Sequence, residues 1–338
     1  MNPDLIPPYK EFCPKHGILE ATGTQPCTEH LHGHFDLLEW PGSGVGADVV
    51  LVCVHAFGLS AKAYGVLGTR FGESGVQTLA LDLRGFGERR GQSGYRRVDF
   101  ADCVVDIKHL LRKLRLKSPN TKVVLVGESM GGAIVLRVAA QSPELVDGVI
   151  TSAPAWRLFH IPSITARGLI DRVTGQPGYA TRWVVEHATT SDELRDYWFY
   201  GGNTRLDLSL YEAYSYLLFM HSTPGNAKKI ENTPVLVVQG LYDRLSRPSA
   251  SAGVFRLLTT EKKQLLIAAH SEHVVLEEDQ LKDDVFMFLS SWIDTQVLAS
   301  EAQSCRVDSG SITVLGESQI KGDDSKEVDN LIRIASKR

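Results

Sequence analysis

KVVLVGESMGGAIVLRVAAQ, residues 122–141, opens on a continuously apolar, β-branched run, Lys122–Val126, and closes on a helical pattern from Gly131 to Gln141 that stops before Pro143. A strand that is apolar at every position is one covered on both faces. Between strand and helix stands Gly127-Glu128-Ser129-Met130-Gly131-Gly132. A serine on so sharp a strand-to-helix turn has a strained backbone, and small flanking residues let the chain turn without collision. Its hydroxyl then stands clear of the sheet, with a helix N-terminus beneath it to stabilise negative charge. Ser129 is therefore the candidate nucleophile, and Glu128, at the variable position of the turn, reads as a structural or pocket-edge residue.

Outward from this stretch the same alternation repeats. Strands are expected at Phe35–Trp40, Val49–Val54, Gln77–Asp82, Gly148–Ser152, Val235–Val238 and Gln264–Ala268. The clearest helix runs from Asp99, a good N-cap, to Leu116, with Phe100, Val104, Ile107, Leu111 and Leu114 on one face. Such alternation implies an α/β protein with a doubly wound, mostly parallel sheet. From about Ala155 to Lys229 no strand pattern appears. That stretch reads as short helices rich in aromatics, among them Trp156, Phe159, Trp183, Trp198, Tyr211, Tyr214, Tyr216 and Phe219. We expect an N-terminal extension at 1–32, a core built from 33–154 and 233–297, a helical cap at 155–232, and a polar, disordered tail at 298–338.

A serine hydroxyl is a weak nucleophile near neutral pH and needs a base held by a third group. Asp243 lies just past the strand Val235–Val238, and His270 and His273 lie past Gln264–Ala268, at the edge where sites of parallel sheets gather. The order serine, aspartate, histidine is the one this kind of turn calls for. Of the two histidines, His273 is farther into the loop, immediately before a helical pattern over Val274–Leu281, and is the favoured base; His270 reads as a local packing residue. A tetrahedral intermediate also needs backbone N–H donors. The amide of Met130 is one candidate, and the amide of Phe57, in the loop His55-Ala56-Phe57-Gly58 after Val49–Val54, is the other. His55 itself reads as a loop-stabilising residue.

Two other clusters point to less. His30, His32 and His34 would share one face of a strand, but no carboxylate or cysteine spacing completes a metal site. The segment Asp82-Leu83-Arg84-Gly85-Phe86-Gly87-Glu88-Arg89-Arg90-Gly91 lacks the glycine spacing and following helix of a dinucleotide loop. It reads as a structural turn with Asp82 and Arg84 in local polar contacts. No cofactor and no metal are expected.

The composition fits a soluble globular protein: 338 residues, 43% hydrophobic, 22% charged, formal net charge −4. That charge excludes the electrostatic footprint of a nucleic-acid binder. Residues 1–20 hold no apolar run long enough for a signal peptide, and no stretch reaches the roughly 18–20 apolar residues of a membrane span. Five cysteines (Cys13, Cys27, Cys53, Cys103 and Cys305) are scattered without CxxC pairing and read as reduced thiols. A cytoplasmic protein is the expectation.

The segments HAFG (55–58), DLRGFG (82–87), GESMGG (127–132), GLYDRL (240–245) and SEHVVLEE (271–278) resemble the monoacylglycerol lipase and lysophospholipase group of α/β-hydrolase serine hydrolases. The resemblance covers roughly 33–295 and departs at Ala56, where the group usually has glycine. It implies the same Ser129–Asp243–His273 triad, the Phe57 and Met130 oxyanion donors, and a small-molecule acyl ester as substrate. A peripheral contact of the cap with lipid is a further expectation. An acyltransferase, a thioesterase and an aminopeptidase-like amidase would use the same residues, and a non-catalytic binding protein could share the fold.

Overall fold

Apolar strands covered on both faces are what the computed structural model contains. It describes residues 27–30, 36–42, 48–92, 97–157, 179–200, 204–206, 208–299 and 312–315. The strands are Cys27–His30 (β1), Asp36–Trp40 (β2), Val49–Val54 (β3), Gln77–Leu81 (β4), Lys122–Glu128 (β5), Gly148–Ser152 (β6), Val235–Gly240 (β7), Lys263–Ala268 (β8) and Ile312–Leu315 (β9). They form one sheet in the order β1-β2-β4-β3-β5-β6-β7-β8-β9. β1, β2 and β4 pair antiparallel, and everything from β4 to β9 runs parallel.

Alternate residues of one strand feed two cores, because successive side chains point to opposite faces. Val50, Val52 and Val54 of β3 pack with Ile107, Leu110 and Ile134 on one side. Leu51 and Cys53 pack with Leu67, Phe71, Leu289 and Trp292 on the other. The helix Phe100–Lys117 begins where Asp99 accepts a hydrogen bond from the Asp102 amide at 3.0 Å, and it buries Phe100, Cys103, Val104, Ile107, Leu110 and Leu111. After β3 the chain moves to β4 on one side, then returns to β5 on the other. The loops leaving β3 and β5 therefore diverge at a switch point, where a parallel sheet opens a crevice. Between β6 and β7 lies the helical insert, with helices Tyr179–Ala188, Asp192–Tyr200 and Leu210–Ala227, the last packed on Met130–Gln141. Phe159 and the histidines His32 and His34 lie outside the described residues. Among the described residues no helix is long and apolar enough to cross a membrane, and no group of three or more His, Cys, Asp or Glu is arranged to hold a metal.

At three places the elements differ from the expected pattern. β1 falls in the segment read as an extension and adds an antiparallel edge to β2. β9 falls in the segment read as a disordered tail. Its ITVL run pairs Leu265 with Ile312 through Ala268 with Leu315, covering an edge of β8 that would otherwise present unpaired N–H and C=O groups. The helical pattern at Val274–Leu281 is not a helix. Val275, Leu276 and Glu277 give their amide hydrogens to the buried Glu128 carboxylate, and a side chain thus takes donors that a helix would direct to its own carbonyls.

Ending the chain at Ser300 removes β9 and reopens the edge of β8. We expect the melting temperature to drop by about 2–4 °C, corresponding to roughly 1 kcal/mol of lost packing and pairing. A calorimetric trace identical to that of the full chain would show that β9 adds nothing to stability.

Candidate active site

The turn after β5 places Ser129 at φ 52, ψ −110, outside the regions open to ordinary residues. Three backbone bonds hold it there. Its N–H donates to the Ser152 carbonyl at 2.8 Å, and its own carbonyl accepts from Ala133 at 3.1 Å and Ala155 at 2.9 Å. The turn also demands close approach. A Cβ on Gly131 would lie 1.9 Å from the Val54 carbonyl oxygen, so the start of the helix Met130–Gln141 sits directly on the end of β3 and its following loop. Gly240 does the same on the other side: its Cβ would lie 1.9 Å from the Glu272 carbonyl oxygen, which presses the loop of Asp243 against the loop of His273.

These approaches bring three side chains into line. His273 Nε2 lies 2.9 Å from Ser129 Oγ, and His273 Nδ1 lies 2.8 Å from Asp243 Oδ2. Asp243 Oδ1 accepts from the amides of Leu245 and Ser246, both at 2.8 Å. Its Oδ2 accepts from Ser246 Oγ at 2.6 Å and Gln239 Nε2 at 3.1 Å, and Gln239 is steadied by Ser251 Oγ at 2.5 Å. Burial alone would raise the Asp243 carboxyl, but the His273 charge and these donors hold it below the usual carboxylate range. Burial alone would lower His273, but Asp243 and, more remotely, Glu128 raise it above the ordinary imidazole value. His270 is exposed at the end of the preceding turn and is not part of this line.

His55 serves its loop. Its Nδ1–H donates to the Ala56 carbonyl at 2.8 Å and its Nε2 accepts from the Leu83 amide at 3.1 Å. Burial lowers its pKa, which fits the neutral tautomer that these two bonds require. Asp82 accepts from the amides of Ala61 at 2.7 Å and Glu88 at 2.8 Å, and Arg84 pairs with Asp106 at 2.7 Å. The segment 82–91 is thus a polar turn bracing this loop. Among the described residues, neither the Phe57 amide nor the Met130 amide gives its hydrogen to a protein acceptor.

Two groups of contacts were not legible beforehand. Gln239 and Ser246, which seat Asp243, are short-range partners whose roles depend on how the loop turns. Tyr216, on the helix Leu210–Ala227, stacks its ring on Phe57 with centroids 5.7 Å apart and planes 19° apart. Nothing in the sequence ranked it above the other aromatics of the insert.

The model of the family described as serine aminopeptidase, S33, matches residues 46–280. The chain belongs to that family. A monoacylglycerol lipase of Mycolicibacterium smegmatis is 27% identical over 257 residues, spanning 72% of this chain and 87% of the relative. The monoacylglycerol lipase of Paleococcus ferrophilus superposes with a TM-score of 0.63 at 20% identity, covering 77% of this chain and 98% of that one. A soluble variant of the Saccharomyces cerevisiae monoglyceride lipase, solved with a substrate analogue, gives 0.65 at 19% identity, covering 86% and 98%. The chain is accordingly a hydrolase of the α/β-hydrolase fold, similar to monoacylglycerol lipases.

The electrostatics of the His273–Asp243 pair fix a sign. Both charges are present between the depressed aspartate pKa and the raised histidine pKa. The stability from Asp243 is lost as pH falls through its folded value, and that from His273 as pH rises through its folded value. NMR titration should place the His273 imidazole above the ordinary histidine range, and Asp243→Asn should bring it down. An unshifted His273 in the wild type would contradict this electrostatic account.

Proposed function

We propose that the chain hydrolyses carboxylic esters of apolar acyl chains, such as monoacylglycerols or lysophospholipids, through Ser129, His273 and Asp243. The observation that carries the reading is the hydrogen-bonded line from Asp243 Oδ2 through His273 to Ser129 Oγ, at 2.8 Å and 2.9 Å. Ser129 Oγ attacks the ester carbonyl carbon while His273 Nε2 takes its proton, and Asp243 stabilises the imidazolium. The amides of Phe57 and Met130 hold the oxyanion. Collapse of the tetrahedral intermediate expels the alcohol, which leaves with the proton from His273. Water then attacks the acyl-enzyme, His273 takes a proton from it, and Ser129 recovers that proton as the acid departs.

The acyl group is proposed to lie under the insert, which acts as the cap. Phe57, Trp156, Leu208, Tyr216 and Leu241 are partly buried apolar side chains packed on the core in this region. Tyr211, Tyr214 and Leu218 stand exposed on one face of the helix Leu210–Ala227 and are our candidates for the surface that meets lipid. The similarity to monoacylglycerol lipases supports an acyl ester over the peptide bond that the family description names.

Ser129→Ala should lower kcat on an activated ester by about 10³-fold or more, and a fluorophosphonate should label Ser129 in the wild type. Across p-nitrophenyl esters from acetyl to dodecanoyl, kcat/KM should rise by up to about fourfold per methylene, from roughly 0.8 kcal/mol of burial, until the cleft ends. A steady fall beyond acetyl, or faster turnover of amino-acid p-nitroanilides, would replace this reading with a small-ester or amidase activity.

A further inference from the structure

Two glutamates lie fully buried beside the site, and the reaction above uses neither. Glu128, next to the nucleophile, accepts at Oε1 from Ser152 Oγ at 2.6 Å and the Val275 amide at 2.8 Å. Its Oε2 accepts from the amides of Leu276 and Glu277, each at 3.2 Å. Consecutive amides converging on one carboxylate form an anion-binding nest, and every partner here is a donor. The amides belong to the segment directly after His273, so this carboxylate fixes the loop that delivers the imidazole.

Glu277 turns toward the other loop. Its two oxygens lie 2.8 Å and 3.2 Å from the Ala56 amide, the residue before Phe57. Among the described residues the Ala56 amide is its one hydrogen-bond donor, and the Tyr64 hydroxyl gives its proton to the Val54 carbonyl at 3.0 Å. A fully buried carboxyl group that has one amide donor and lies beside a second buried carboxylate favours its protonated form. The titratable groups facing the pair are Cys53 from β3, Tyr64 from the turn before the helix Gly65–Glu73, and His273 and Glu278 from the loop itself. None of these is a permanent cation. Burial and the Glu128 charge hold Glu277 well above the usual carboxylate range. Burial raises Glu128 as well, against the opposing pull of its donors.

We propose that Glu128 and Glu277 are paired positioning residues, Glu128 as a carboxylate fixing the base loop and Glu277 as a carboxylic acid fixing the oxyanion loop. The proposal rests on reading His273 as the base and the Phe57 amide as an oxyanion donor. The pair shares one negative charge. That charge sits on the side of His273, where it supports the imidazolium, and the neutral partner binds the backbone of Ala56 without adding a second buried anion.

The test is the pH dependence of kcat and KM on a p-nitrophenyl ester for wild type, Glu128→Gln, Glu277→Ala and Glu277→Gln, with fluorophosphonate labelling and thermal melts of each. Glu128→Gln should lower kcat about tenfold or more with little change in KM. It should also move the acid limb of kcat/KM down by about half a pH unit or more, because the imidazolium loses a stabilising charge. Glu277→Ala should lower kcat about tenfold without moving that limb. Glu277→Gln, whose neutral amide can still accept from Ala56, should recover kcat to within about threefold of wild type. The infrared difference spectrum of wild type minus Glu277→Gln at about pH 8 should contain a protonated carboxylic-acid carbonyl band.

An unmoved limb in a folded Glu128→Gln, a Glu277→Gln no better than Glu277→Ala, or the absence of that band would overturn the proposal. If Glu128→Gln does not fold, the band and the Glu277 comparison decide it. The underlying site reading fails separately, through a wild-type enzyme that is not labelled or a Ser129→Ala variant that keeps its rate.

Discussion

The backbone of residue 129 is the constraint around which the C-terminal edge of the sheet is organised. A side-chain-bearing residue at φ 52, ψ −110 costs on the order of 1–3 kcal/mol and persists only where its surroundings hold it. Here the surroundings are the neighbouring strand and the following helix. Ser152 takes the residue's N–H, Ala133 and Ala155 bond its carbonyl, and Gly131 allows the helix to press onto the Val54 carbonyl. Strain stored in this way turns the hydroxyl toward His273, and it aims the positive end of the helix Met130–Gln141 at the same point. The loop after β3 lies against that helix start because β3 and β5 are adjacent strands.

Carboxyl groups of similar chemistry are given different states by their donors. Asp243 has two amides, a hydroxyl and an imidazole, and is held ionised. Glu128 has a hydroxyl and three amides. Glu277 has one amide, beside the Glu128 charge. A buried anion needs a complete set of donors, and with an incomplete set the proton is retained. The number of donors, more than depth of burial, thus separates these three groups.

Much of the sheet was legible because its central strands are apolar and β-branched at nearly every position. Seven strands, β2 to β8, fall within a residue or two of the expected runs. β1 was not legible, since CTEH is polar and short, nor was β9, four residues set in a charged tail. The order Ser129, Asp243, His273 along the chain, each beyond a strand end, could be read because topology alone sends those loops to one edge. The segment Val274–Leu281 misled because three consecutive apolar residues fit a helical face as well as a buried loop. What decides between them is the Glu128 carboxylate, about 150 residues away in the chain, which a local pattern cannot register.

The insert is tied to the same loops that carry the proposed chemistry. The Arg205 amide donates to the Gly58 carbonyl at 2.8 Å, and its guanidinium reaches the Gly85 carbonyl at 3.1 Å. It also pairs with Glu212 at 2.9 Å, while Glu212 accepts from the Val98 amide at 2.9 Å. Glu212 is at the same time the capping-box residue that starts the helix Leu210–Ala227 with Ser209. One buried ion pair therefore sets the beginning of the helix that bears Tyr216 and fixes it to the loop that bears Phe57. A buried pair of this kind adds little net stability, because desolvation offsets its attraction, but it permits one arrangement of the parts it joins. Its consequence is geometric: Tyr216 stacks on Phe57 because Arg205 and Glu212 bind the helix start to the loops on which that geometry depends.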